Sequence, residues 1–222
     1  LGSETNFFGL QNVEKYSFTM KTLADALSLR NRLIDMLEQA ENETREELKR
    51  RLLTFVIVGG GFAGVETAGE INDFLYDALN YYHNIKMEDI NVIIIEALSS
   101  ILPGFNKKLV EFAHCKLEKN GIKILLDTIV SDFDGKNVIV KKSAKSTSTI
   151  KSKTTIPSHT LVWAAGITPV EIIKKSVFKT MKGQIIVNEF LEIPDFPGVF
   201  AIGDCSRFDE SINKSYPPTA QL

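Results

Sequence analysis

Thr54-Phe55-Val56-Ile57-Val58-Gly59-Gly60-Gly61-Phe62-Ala63-Gly64-Val65-Glu66 is the stretch that decides the fold. Its first five residues are β-branched or aromatic, which suits a strand, and three glycines stop the run. Residues 62–82 then carry the apolar spacing of a long helix. Residues 91–95, Asn-Val-Ile-Ile-Ile, form a second apolar run without alternation, as expected for a parallel strand covered on both faces. Strand, tight turn, helix and strand make a βαβ unit. Gly59, Gly61 and Gly64 fall in the pattern G-x-G-x-x-G, and each has a steric task. The first permits the turn, the second lets a pyrophosphate approach the backbone, and the third lets helix and strand pack closely. Gly59, Gly60, Gly61, Phe62, Ala63 and Gly64 are therefore the expected cofactor-binding turn, with the pyrophosphate held by free N–H groups at the positive end of the helix dipole. A glycine string alone is weak evidence. Its place between a buried strand and a helix gives it weight.

The second strand ends at Glu96, where such a unit expects an acid that accepts hydrogen bonds from the ribose hydroxyls of NAD. The following Ala97-Leu98-Ser99-Ser100 offers no arginine or lysine to a 2′-phosphate, so NADH is expected rather than NADPH. Glu96 lies farther from Gly64 than the usual spacing of about 20 residues, which we attribute to a lengthened helix and loop over 75–89. The competing reading makes Glu96 a solvated strand end.

Upstream, Leu23, Ala26, Leu27, Leu33, Ile34 and Leu37 recur at helical spacing, and Asn42 is placed to cap a second short helix running to Arg51. Downstream, a helix over 106–120 is expected to stop near Gly121, followed by strand-like material at 122–126 and 128–133. Asp134-Gly135 signals a hairpin into 137–142. The Lys/Ser/Thr-rich stretch 141–153 reads as an exposed hairpin tip or mobile loop rather than a binding patch. Further strands are expected at 161–165, 184–187 and 199–202. Gly166 is a plausible boundary, because the last third abandons the parallel strand–helix rhythm.

Composition excludes several classes. The formal net charge of −2 and the absence of a basic arm argue against nucleic acid. No apolar run approaches the roughly 18 residues needed to span a bilayer. Cys115 and Cys205 are too far apart for a CxxC redox pair or a zinc knuckle, and the reading is a reducing, cytoplasmic compartment without a structural disulfide. Cys115, on a helix with Leu109, Phe112 and Leu117, reads as a small core hydrophobe. His83, His114 and His159 show no metal-ligand spacing and read as structural or exposed.

The segment from Thr54 through Glu70 resembles the NADH-binding part of type II NADH dehydrogenases, flavoenzymes with two dinucleotide-binding domains. The likeness continues through Ile101-Leu102-Pro103, Trp163-Ala164-Ala165-Gly166-Ile167 and Val199-Phe200-Ala201-Ile202-Gly203-Asp204, in the family's order. It implies an α/β fold: a Rossmann-like NAD(H)-binding domain over 52–166, a parallel sheet with helices and an added β-hairpin or meander. Flanking it at 1–51 and 167–222 would be parts of an FAD-binding domain. It further implies that Gly203 and Asp204 contact FAD, that Ala165 and Gly166 line the nucleotide, and that Glu66 and Gln221 act near the reacting centre. Glu66 has a plainer alternative, stabilising the dipole of its helix. The family's first FAD glycine motif and its membrane-docking helices are missing here, so the chain reads as a fragment of a longer enzyme, inactive by itself. The parent would pass hydride from NADH to FAD and electrons on to a quinone, at the inner face of the cell membrane, peripherally and through regions absent here. The resemblance leaves a homodimer open. A disulfide reductase of the superfamily would want a close cysteine pair, which is not visible. The alternative readings are a non-catalytic NADH-binding or sensing module and another FAD-dependent pyridine-nucleotide oxidoreductase.

Overall fold

The computed structural model describes residues 2–143 and 153–208. Its elements, in chain order, are β1 (Ser3–Thr5), α1 (Gln11–Tyr16), α2 (Leu23–Asn42), α3 (Glu46–Leu52), β2 (Thr54–Val58), α4 (Phe62–Ala78), β3 (Asn91–Ile95), α5 (Lys107–Lys119), β4 (Lys123–Leu125), β5 (Thr128–Phe133), β6 (Asn137–Lys142), β7 (Thr154–Pro157), β8 (Thr160–Trp163), β9 (Ile167–Pro169), α6 (Glu171–Lys174), β10 (Thr180–Met181), β11 (Gln184–Val187) and β12 (Ser206–Phe208). They fall in two compact units, Phe7–Ala165 on the one hand and Leu1–Asn6 with Gly166–Leu222 on the other.

The larger unit is built on a parallel sheet of order β4-β3-β2-β8. All five residues of β2 are buried, and the pleat divides them between two cores. Phe55, Ile57, Val92, Ile94 and Val162 face a cluster supplied by α2, α4 and α5. Val56, Val58, Ile93, Ile95, Leu161 and Trp163 face a second cluster with Val130, Phe133, Val138 and Val140 from the antiparallel meander β5-β6-β7. A two-sided core explains why β2 and β3 are apolar at every position, since successive side chains point to opposite faces. Each such side chain stabilises the fold by about 1.5–3 kcal/mol relative to exposure.

Local chemistry sets the boundaries of these elements. Thr22 opens α2 with a capping box: its hydroxyl accepts from the Asp25 N–H at 3.1 Å, and the Asp25 carboxylate accepts from the Thr22 N–H at 2.9 Å. At the end of α5, Gly121 takes a left-handed φ of 84° and Ile122 N–H donates back to the Leu117 carbonyl. Asp134 closes the β5–β6 hairpin by accepting from the N–H groups of Lys136 (2.8 Å) and Asn137 (2.7 Å).

Several expectations need correction. Asn42 does not cap α3; it is the last residue of α2, its side-chain amide donates to the Glu38 carbonyl, and Arg45 stands at the cap of α3 without a side-chain bond. The helix expected over 62–82 ends at Ala78 and tightens into a 3₁₀ turn, Leu79–Tyr81. Cys115 is exposed, as are Leu109 and Phe112, because α5 turns Val110, Ala113 and Leu117 to the core instead. The compact unit begins at Phe7 rather than at residue 52, since Leu29, Leu33, Met36 and Leu37 of α2 belong to the same core as β2. Residues 144–152 of the Lys/Ser/Thr stretch lie outside the described residues.

In the smaller unit β1 pairs antiparallel with β9, and β11 lies between antiparallel β10 and parallel β12. Ile173, Ile185, Val187, Ile193, Ala201 and Cys205 form its core. The strand expected at 199–202 is a single bridge from Phe200 to Glu192; Val199, Phe200 and Ile202 are exposed, and β12 follows instead.

Candidate nucleotide site

The glycine turn leaves the carboxyl end of β2, a central strand with parallel neighbours on both sides. Through α4 the chain passes to β3, while β8 lies on the opposite flank, so the strand order reverses at this point. In open α/β sheets the crevice at such a reversal is where ligands bind.

Each glycine meets a different constraint. Gly59 has φ 109°, donates its N–H to the Ile95 carbonyl at 2.8 Å, and packs so close to β8 that a Cβ would stand 3.0 Å from the backbone of Ala164 and Ala165. A Cβ on Gly64 would lie 1.8 Å from the Gly59 carbonyl oxygen, which is why α4 can approach β2 only with glycine there. Gly61 is the contrast. Its φ of −74° suits any residue, and a Cβ there would meet nothing within 4 Å. The fold itself does not require glycine at position 61; the vacant volume suits a ligand that must approach the backbone. Gly61 is also the N-cap of α4, with no side-chain cap and no acid in the first turn, leaving N–H groups and positive dipole available to an anion.

Glu96 is not a solvated strand end. It is 9% exposed, and its carboxylate accepts from the Gly60 N–H (Oε2, 2.5 Å) and the Leu98 N–H (Oε1, 2.8 Å). Glu96 thus ties down the turn. Sequence reasoning assigned no task to Ile101, Leu102 and Phe105, which contact the same turn; the only signal was an Ile-Leu-Pro string without a role. Ala165 lies against Gly59 as described. Phe62 and Ala63 are exposed on the first turn of α4. Glu66 follows on the exposed face of α4 and lines a groove of about 430 Å³ between α2 and α4, with Arg30 and Glu70 on the same groove.

In the smaller unit Gly166 has φ 74° and its carbonyl accepts from the Asn6 N–H at 3.1 Å. Gly203 has φ 79°, and the Ser3 hydroxyl donates to Asp204 Oδ2 at 2.6 Å. Asp204 is therefore held by a residue from the far end of the sequence. Gln221 lies outside the described residues. Among the described residues no group of three or more His, Cys, Asp or Glu could hold a metal ion.

The family model described as pyridine nucleotide-disulphide oxidoreductase matches residues 1–221. The chain belongs to this family. Among pyridine nucleotide-disulphide oxidoreductases it is 35% identical, over its whole length and 38% of the relative's, to an external alternative NADH-ubiquinone oxidoreductase, mitochondrial, of Yarrowia lipolytica. It is 32% identical to the type II NADH:quinone oxidoreductase Ndh of Mycobacterium tuberculosis, over 94% of the chain and 45% of that protein. The structure of NDH2 from Plasmodium falciparum in complex with NADH superposes with a TM-score of 0.81 at 28% identity, covering 94% of this chain and 43% of that one. The chain spans less than half the length of these relatives. The mixed α/β architecture with a parallel sheet is that of the family.

Proposed function

We propose that this chain is the NADH-binding part of a type II NADH dehydrogenase, a flavin-dependent NADH:quinone oxidoreductase. The vacant volume at Gly61 carries the reading: a glycine that its own fold does not need stands at the uncapped N-terminus of α4, at the reversal of a parallel sheet. The relatives are named for NADH and quinone, and one was solved with NADH, which supports the same substrates here.

In this reading the N–H groups of the turn orient the pyrophosphate, and the remaining lone pairs of Glu96 take the ribose hydroxyls. Ala165 and Gly166 line the nucleotide, and Gly203 with Asp204 contacts FAD. FAD, when bound, supplies hydride acceptance and the relay of electrons to quinone. Glu66 and Gln221 are the proposed residues near the reacting centre. No helix among the described residues is long and apolar enough to cross a membrane, and the proposed membrane contact is peripheral, at the inner face of the cell membrane. The mitochondrial relatives make a mitochondrial membrane the alternative. A homodimer is compatible with this assignment, and nucleic acid is not among the proposed partners.

Trp163, the chain's single tryptophan, is 4% exposed and lies in register with Val58 beside the turn. NADH is expected to quench its emission by energy transfer, with NADPH binding more weakly. A protein that neither binds NADH in this titration nor retains flavin would end the proposal, whereas NADH binding without flavin or quinone reduction would favour the sensing module. Glu66→Gln is expected to lower turnover; unchanged kinetics with both NADH and quinone would remove Glu66 from the reacting centre.

A further inference from the structure

We propose that the loop Ile101-Leu102-Pro103-Gly104-Phe105 is a positioning brace for the dinucleotide turn, setting the direction of the Gly61 N–H and the seat of the first turn of α4. The inference rests on the NADH reading above.

Both polar groups of Gly60 are engaged by one segment of chain. Its N–H donates to Glu96 Oε2 at 2.5 Å, and its carbonyl accepts from the Leu102 N–H at 2.7 Å. The peptide linking Gly60 to Gly61 is planar and trans, so its C=O and N–H point in opposite directions. Anchoring the carbonyl on Leu102 therefore aims the Gly61 N–H away from the loop. The contact is tight as well as polar: a Cβ on Gly60 would stand 3.0 Å from Ile101 Cγ2.

The loop takes an uncommon path to make these contacts. Leu102 is buried yet has φ 48°, a conformation that L side chains rarely adopt, and Gly104 follows at 92°. Such backbone is concentrated where surrounding structure imposes it, ligand clamps included. Phe105 N–H returns to the Leu102 carbonyl at 3.3 Å, and its ring lies 5.8 Å from that of Phe62, the first residue of α4. Asn106 then caps α5 by accepting from the Lys108 N–H at 2.9 Å. Ile101 and Leu102 thus meet the turn, Phe105 meets the helix N-terminus, and the loop runs directly into the capped start of α5.

The test uses Phe105→Ala, Phe105→Leu and Gly104→Ala in the complete flavin-loaded protein. A Cβ on Gly104 would meet nothing within 4 Å, so that variant acts on the loop's backbone alone. Phe105→Ala is expected to raise the NADH Kd, read by Trp163 quenching, and the NADH KM by about three- to tenfold. The kcat at saturating NADH, the quinone KM and the flavin content should stay as in the unaltered protein. Phe105→Leu should recover most of the affinity, and Gly104→Ala should raise the Kd severalfold with α4 and its partners untouched. The brace is overturned if Phe105→Ala and Gly104→Ala, both folded, bind NADH like the unaltered protein. It is overturned equally if affinity, kcat and flavin content fall together, the mark of general loosening. An unaltered protein that does not bind NADH would overturn the functional reading and the brace with it.

Discussion

Replacing Gly64 and Gly61 by alanine, one at a time, separates the glycine that the fold needs from the glycine proposed to serve the ligand. At Gly64 the new methyl would stand 1.8 Å from the Gly59 carbonyl oxygen, where real contacts essentially never fall under 3.0 Å. Relief requires α4 to back away from β2 by about 1.2 Å, loosening Ala68, Ile71 and Leu75 in the core. Overpacking of this kind costs about 1–3 kcal/mol and sometimes more, against a gain of roughly 1 kcal/mol in helix propensity. A contact as short as this puts the cost at the upper end, so we expect a net loss of about 2 kcal/mol, which for a chain of this size lowers Tm by roughly 4–8 °C. At Gly61 the methyl meets nothing and φ is −74°, so strain is absent. A small loss as an N-cap residue and a similar gain from a stiffer unfolded chain, each roughly 0.5–1 kcal/mol, leave Tm nearly unchanged. The same methyl occupies the volume proposed for the pyrophosphate, so NADH affinity should fall more than about tenfold, or about 1.4 kcal/mol. Thermal unfolding and Trp163 quenching on both variants measure the two effects. Gly61→Ala binding NADH normally, or Gly64→Ala unfolding at the wild-type temperature, would refute the reasoning.

Glu96→Ala leaves the Gly60 N–H without its acceptor and is expected to destabilise the protein by about 1–3 kcal/mol; Glu96→Gln, which keeps one oxygen, should cost less, and denaturant titration distinguishes them. His159 is held below its ordinary value of 6.5, first by burial and then by Arg32, Arg51 and Lys136. Its neutral form is therefore the native one, and its contribution to stability is present above pH 6.5 and lost as pH falls through the depressed value; His159→Gln should flatten that part of the pH–stability curve. Cys115 is exposed and Cys205 buried, so a thiol reagent should label Cys115 rapidly in the native protein and Cys205 only on unfolding, as mass spectrometry of the labelled peptides would show.

Most of the larger unit was legible in the sequence because its signals are local. Three glycines after Val58, the unbroken apolar runs of β2 and β3 and the Asp134-Gly135 turn each declare a backbone state that neighbours of a few residues enforce. What misled were faces and partners. Cys115, Leu109 and Phe112 share a helix with Leu117, but a second stripe, Val110 and Ala113, takes the core, and sequence periodicity cannot choose between two apolar stripes. Residues 199–202 have strand composition, yet a strand needs a ladder, and only Phe200 finds a bridge among the described residues.

By itself, then, the sequence determined the βαβ unit, the glycine turn at its centre and the acid at the end of the second strand, because steric rules about glycine and the two-residue period of a strand operate without knowledge of distant residues. Only the tertiary structure decided which glycine the fold requires and which it does not, since a missing Cβ at Gly64 abuts Gly59 whereas one at Gly61 opens on vacant volume. It alone showed that Glu96 and Leu102 hold the two polar groups of Gly60, a bond pattern set by how β3 and its following loop close over the turn.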